Sequence, residues 1–192
     1  MFSELVRKNR SYRRFDHNAM ISPMVMSSIL EAARLCPSAG NMQSLRFLPV
    51  TSEEDCAKLF PNLKWAGYLR YWDGPSLSER PTAYILILGL ANASKYLQVD
   101  TGIAAQTMLL NAVEKGFGGC MLAALDRDKI RADFAIPDEL DILLCLALGK
   151  PAETVVIEDV IDPDDIEYYR DAESIHHVPK RLLKDLVIRH GD

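Results

Sequence analysis

Between residues 84 and 125 two apolar runs flank a long amphipathic stretch, and a chain with that succession must pack strands against helices. Tyr84-Ile85-Leu86-Ile87-Leu88 is continuous and partly β-branched, which reads as a strand buried on both faces. Residues 95–115 lack proline and carry Ile103, Ala104, Met108, Leu109 and Ala112 at helical spacing, so they form a long central helix that Gly116 closes. Residues 120–125 supply a second buried strand, and residues 141–148 a third, ended by Gly149-Lys150-Pro151. Helices and strands interleave, so the class is α/β or α+β and neither a helical bundle nor an all-β sandwich.

The flanking chain carries its own punctuation. A short helix starts at about Ser3, with Phe2, Leu5 and Val6 as its apolar side and Asn9 at a left-handed stop. Ser22 caps a second helix, Pro23 occupies its first turn, and Met24, Ile29, Leu30 and Ala33 form its stripe until Pro37 ends it. Residues 47–50 read as a strand, 53–60 as a helix, and 127–134 as a helix capped by Asp126. Residues 64–80 gather Trp65, Tyr68, Tyr71 and Trp72, and are expected to form a mobile lid or a wall over substrate. After Pro151 the texture becomes charged, without a sustained core pattern. The expected organisation is one domain over 1–192, with 152–192 as an extension lying across a partner subunit.

Charge and motif content remove several functions. Lys plus Arg number 22 against 27 Asp plus Glu, a net charge of −5, which denies the chain a broad basic field for nucleic acid. The longest apolar stretch, 83–91, falls short of the ~20 residues that cross a bilayer, and the first residues show no targeting pattern, so a cytoplasmic protein is expected. The four cysteines lie far apart without a C-x-x-C pair and read as free thiols. The one G-x-G, Gly116-Phe117-Gly118, follows a helix rather than a strand, against a Rossmann dinucleotide site. Walker, H-E-x-x-H and G-x-S-x-G patterns are absent. Adjacent His176 and His177 do not share a face for one metal, and Asp162-Pro163-Asp164-Asp165 reads as a solvated turn.

Four segments carry candidate chemistry. Arg10-Ser11-Tyr12-Arg13-Arg14-Phe15 concentrates three guanidinium groups in an acidic chain, which suggests a bound anion; in extended conformation Ser11 and Arg13 share one side. Pro37-Ser38-Ala39-Gly40-Asn41-Met42-Gln43 offers accessible backbone N–H groups and two amide side chains suited to the edge of a heteroaromatic ring. Gly116-Phe117-Gly118-Gly119 lets backbone approach a flat ligand, although a tight helix-to-strand turn needs the same residues. His177-Val178-Pro179-Lys180-Arg181 adds a second basic pair.

Together and in this order these segments resemble the nitroreductase family of FMN-dependent oxidoreductases. The resemblance spans nearly the whole chain: R-S-x-R-x-F at 10–15, P-S-x-x-N-x-Q at 37–43, a buried strand after Arg80-Pro81, Asp100-x-Gly102-Ile-Ala-Ala-Gln106, the glycines at 116–119, and Ala147-Leu148-Gly149-Lys150-Pro151. It implies an α+β sandwich with a central, mainly antiparallel sheet flanked by helices, in an intertwined homodimer with FMN at the interface. Arg10, Ser11 and Arg13 would hold the phosphate, ribityl chain and pyrimidine edge. Pro37, Ser38, Ala39 and Asn41 would come from the other subunit, and Gln43 would reach the ring edge. Gly118 and Gly119 would lie beside the isoalloxazine, and Lys180 or Arg181 would complete the phosphate site. NADH or NADPH would donate hydride and a small organic acceptor would receive electrons, with no side chain acting as acid, base or nucleophile. Asn9 and Ser44 depart from the relatives, which commonly carry Arg and Pro there. A flavin carrier without nicotinamide turnover, and a flavin-free interaction protein, remain open alternatives.

Overall fold

The computed structural model describes residues 1–91 and 93–188, which divide into two compact units: Met1–Trp65 with Gly74–Ala152, and Ala66–Asp73 with the chain from Glu153 onward. The first unit is built on an antiparallel sheet of β1 (Phe15–Asp16), β2 (Leu45–Val50), β3 (Ala83–Leu90), β4 (Gly118–Leu122) and β5 (Leu140–Pro151). The order is β1-β5-β3-β2, with β4 also on β5, so the longest strand organises the sheet. Ile85 sits opposite Leu146 and Ala83 opposite Leu148. With Ile87 these side chains meet Met26, Ile29 and Ala33 of α2 (Pro23–Arg34) and the buried stripe of α4 (Leu97–Glu114) in one core.

The α4 stripe runs through positions 97, 100, 101, 104, 105, 108, 109 and 112, the three- and four-residue steps of a helix packed along one face. Ile103 falls off that stripe and is partly exposed, contrary to the sequence expectation. On α2 the steps from Met26 to Ile29 to Ala33 face the core, which leaves Met24 80% exposed. Local caps act as the residue types require. The Val25 N–H donates to Ser22 Oγ at 3.3 Å, Asp55 N–H to Ser52 Oγ at 3.1 Å at the start of α3 (Glu53–Leu59), and Lys129 N–H to Asp126 Oδ1 at 3.2 Å at the start of α5 (Arg127–Asp133). In α1 (Phe2–Lys8) the helix begins one residue before Ser3, and Asn9 ends it in extended backbone, with φ of −75°, rather than left-handed. The chain reverses at Gly116, φ +82°, so Gly118 and Gly119 belong to β4 rather than to the turn.

The second unit contains a sheet that sequence patterning did not reveal. β6 (Val155–Asp159) pairs in parallel with β8 (His176–Lys180), and β7 (Tyr169–Arg170) pairs antiparallel with β8. α6 (Leu183–Leu186) follows. Tyr68 meets Tyr168 edge-on with ring centroids 4.9 Å apart, and Arg170 lies over the Trp72 ring at 4.8 Å while pairing with Glu153 at 2.8 Å. His177 is held between two carboxylates: one ring nitrogen bonds Glu158, the other Asp171 at 2.9 Å, and Tyr169 stacks on the imidazole. His176 points elsewhere and is buried. Among the described residues no helix is long and apolar enough to cross a membrane, no group of His, Cys, Asp and Glu is arranged to hold a metal ion, and none of the four cysteines forms a disulfide.

Candidate functional site

The basic hexapeptide is extended and lies along β4. Ser11 forms a parallel bridge with Gly119, and the Tyr12 N–H donates to the Gly119 carbonyl at 3.1 Å. The first and third sequence constellations therefore meet. Half-buried Arg10 donates from one terminal nitrogen to the Val6 carbonyl at 2.7 Å, while its Nε is buried with no hydrogen-bond acceptor. Burial lowers the Arg10 pKa, partly offset by Tyr12, yet a guanidinium stays charged at neutral pH. Arg13 donates to the Ser11 carbonyl at 3.3 Å, and Arg14 pairs with Glu79 at 3.4 Å. Arg14 Nε thus faces a carboxylate, whereas the buried Arg10 Nε faces no acceptor.

Glycine at 118 and 119 answers first to packing. A Cβ at 119 would lie 2.2 Å from the Ala147 carbonyl oxygen, and one at 118 would lie 2.7 Å from the Tyr12 ring. Their missing side chains make room for this chain's own atoms, a reason the sequence reading did not contain. Any close approach by a ligand must use other faces of that backbone.

The loop at 37–43 is a cradle with strained backbone. Ala39–Asn41 forms a 3-10 turn in which Gly40 (φ +56°) and Asn41 (φ +54°) are left-handed, and Gln43 follows at φ +49°. Such angles cost a residue with a Cβ about 1–2 kcal/mol and cluster at ligand-binding loops. The Gln43 N–H donates to Ser38 Oγ at 3.1 Å, and Gln43 Nε2 donates to Asn41 Oδ1 at 3.3 Å. From the first turn of α4, Asp100 reaches across so that its Oδ1 accepts from the Ala39 N–H at 3.0 Å; its Oδ2 is buried without a partner. Pro37, Ser38, Gln43 and Asp100, with Arg34 and Arg46, line a cleft of about 430 Å³. Asp100 is the residue to which sequence reasoning gave no role; the available signal was an acid inside the buried stripe of an apolar helix.

Within one chain the candidates fall into separate groups. Arg10, Ser11 and Arg13 lie with Gly118 and Gly119, whereas the cleft beside Pro37, Ser38 and Gln43 is not lined by them. Ala39 joins the second group through Asp100, and Asn41 through Gln43. Lys180 and Arg181 belong to the second unit. There Arg181 donates to the Pro163 carbonyl and pairs with Asp164 at 3.3 Å, while Lys180 ends β8 exposed. The donor set fits a phosphorylated heteroaromatic group such as FMN: a buried Arg10 Nε lacks an acceptor, a buried Asp100 oxygen lacks a donor, and Gln43 lines the same cleft as Asp100.

The Nitroreductase family profile matches residues 6–150, which run from α1 to β5 and include both loops. The Bacillus subtilis (strain 168) protein named "Putative NAD(P)H nitroreductase YdgI" is 25% identical over 186 residues, covering 79% of this chain and 89% of that protein. A nitroreductase family protein from Clostridium difficile 630 shares the fold, with a TM-score of 0.66 at 23% identity over 80% of this chain and 86% of that one. An Exiguobacterium sibiricum 255-15 protein solved in complex with FMN is 26% identical, with a TM-score of 0.65 over 80% of this chain and 89% of that one. With the antiparallel sheet, the Ser11–Gly119 bridge and the Asp100-anchored loop all inside the matched span, this chain belongs to the nitroreductase family.

Proposed function

We propose that this chain is an FMN-dependent oxidoreductase, working as a homodimer, that takes hydride from NADH or NADPH and passes electrons to a small organic acceptor, a nitroaromatic or quinone, in ping-pong order. The observation that carries the reading is the bridged pair Ser11 and Gly119, beside which the Arg10 guanidinium keeps a buried donor without an acceptor. Bound FMN would supply the two-electron chemistry.

The chain's own residues bind and orient. Arg10 and Ser11 offer donors to a phosphate and a hydroxylated chain, and Arg13 offers fixed positive charge where negative charge develops on reduction. Pro37, Ser38, Ala39 and Asn41 are assigned to the opposite subunit's contribution, with Gln43 toward the ring edge. The Gly118 and Gly119 backbone is assigned to the ring face, and Lys180 or Arg181 to the phosphate. No side chain of the proposed site has to act as an acid, base or nucleophile.

The test is the visible spectrum of purified protein before and after anaerobic NADH or NADPH. The reading expects a yellow protein that bleaches rapidly. A yellow protein that keeps its colour would instead be a flavin carrier, and a colourless one that ignores added FMN would overturn flavin binding. Flavin content should also track dimer content on a sizing column, and a monomer with full flavin would contradict the shared site.

A further inference from the structure

A second cavity, of about 240 Å³, opens between α3, the 3-10 turn Leu77–Glu79 and the start of β3, and is lined by none of the residues assigned above. It is smaller than sites for drug-sized ligands, which run from about 300 Å³ upward, so it suits a compact molecule. Its polar lining includes two unmet donors. Tyr84 is 1% exposed, and its hydroxyl has no hydrogen-bond partner among the described residues. Burial holds that phenol far above its ordinary range, so it remains an O–H donor.

Arg80 is the second donor. Its guanidinium lies 3.8 Å from the centre of the Phe60 ring, and Phe60 in turn packs against Trp65. Stacking satisfies the face of the guanidinium and leaves its edge; Nε is buried without an acceptor, and the side chain forms no ion pair among the described residues. The other polar groups do not supply the missing acceptor. Cys56 directs its thiol to the Val50 and Thr82 carbonyls, and burial with neighbouring Asp55 pushes it up to about 11, so it is neither charged nor nucleophilic. His17 Nδ1 faces the Arg80 carbonyl at 3.3 Å. Glu53, exposed on the rim, does not pair with Arg80. Two donors without a protein acceptor, one cationic and one phenolic, in a largely apolar cavity call for one small ligand that carries an anionic acceptor at one end and hydrocarbon at the other.

We propose that this cavity binds a small monocarboxylate with a compact apolar body, its carboxylate taken by the edge of Arg80 and the hydroxyl of Tyr84. The site is independent of the flavin reading. It is tested by titrating the protein as purified, carrying methyl-labelled methionine, with sodium benzoate. The Met20 methyl on the cavity rim reports occupancy, and the Met24 methyl on α2 serves as reference. A saturable shift of Met20 without Met24 is expected, weakened at least tenfold in Arg80→Gln, several-fold in Tyr84→Phe, and absent with neutral benzamide. Glu53→Gln should tighten binding by removing a like charge. A shift that does not saturate would overturn the proposal. So would an affinity unchanged in Tyr84→Phe, which loses one oxygen and keeps the packing, or binding that survives Arg80→Gln while perturbing the flavin spectrum.

Discussion

The Asp100 carboxylate and the Ala39 N–H are joined by a 3.0 Å hydrogen bond, which ties the first turn of α4 to a loop 61 residues earlier. The bond is charge-assisted, and the helix N-terminus favours the anion. Asp100→Ala should cost about 1–3 kcal/mol in urea denaturation. It should also lower FMN retention, because the Ser38–Ala39 backbone loses its anchor. Asp100→Asn keeps an acceptor for Ala39 and should retain most of the stability.

Gly119→Ala drives a methyl into a backbone carbonyl that the β4–β5 ladder holds in place, since Gly119 pairs with Leu148. A loss of about 2–3 kcal/mol is expected by chemical denaturation. Gly118→Ala meets the Tyr12 and Pro151 rings instead and should cost less, because Tyr12 can swing away.

Gln43 holds a left-handed backbone angle that glycine adopts freely. Gln43→Gly should relieve strain of about 1 kcal/mol, offset in part by the greater freedom of the unfolded chain. It should also weaken FMN binding by removing the amide that bonds Asn41. A melting curve and a flavin titration on the same variant test the opposed signs.

Arg13→Ala and Arg127→Ala should separate cofactor binding from stability. Arg127 Nε donates to the Ile142 carbonyl at 2.9 Å and ties α5 to β5, so its loss should cost about 1–3 kcal/mol while leaving flavin affinity of the folded protein unchanged. Arg13→Ala should lower flavin affinity and the rate of flavin reduction more than Arg127→Ala does. Equal effects of the two in a flavin titration would count against the assignment of Arg13.

Asp171 first, and then Glu158, raise the pKa of His177 above its ordinary 6.5, and the same contact with His177 lowers Asp171 below 3.8. A raised histidine stabilises fully below its unfolded value and loses that contribution as pH rises through the folded one. A lowered aspartate stabilises above its unfolded value and loses the contribution as pH falls through the folded one. The cluster is therefore strongest in mild acid and weakens toward alkaline pH. The His177 imidazole should titrate above 6.5 by NMR, and His177→Gln should flatten the alkaline decline in melting temperature.

Local signals were legible because their causes are local. Ser22 with Pro23, and Asp126, mark helix starts through bonds to N–H groups three residues away. The apolar run around Ile85 identifies a doubly covered strand, and the proline-free stretch to Lys115 identifies the central helix. The sheet of the second unit escaped because strands of two to five residues, two of them paired in parallel, carry too few positions for a period to emerge.

The amino-acid sequence alone determined a class that mixes helices and strands, the caps at Ser22 and Asp126, the central helix and the family, since each is written in short-range spacing or in motif order. Only the folded chain decided that Ser11 meets Gly119, that Asp100 anchors Ala39, that Gly118 and Gly119 yield space to their own neighbours, and that Arg80 and Tyr84 share a cavity. Those facts depend on strand register and on which buried donors and acceptors find one another, and both are resolved only when distant segments pack.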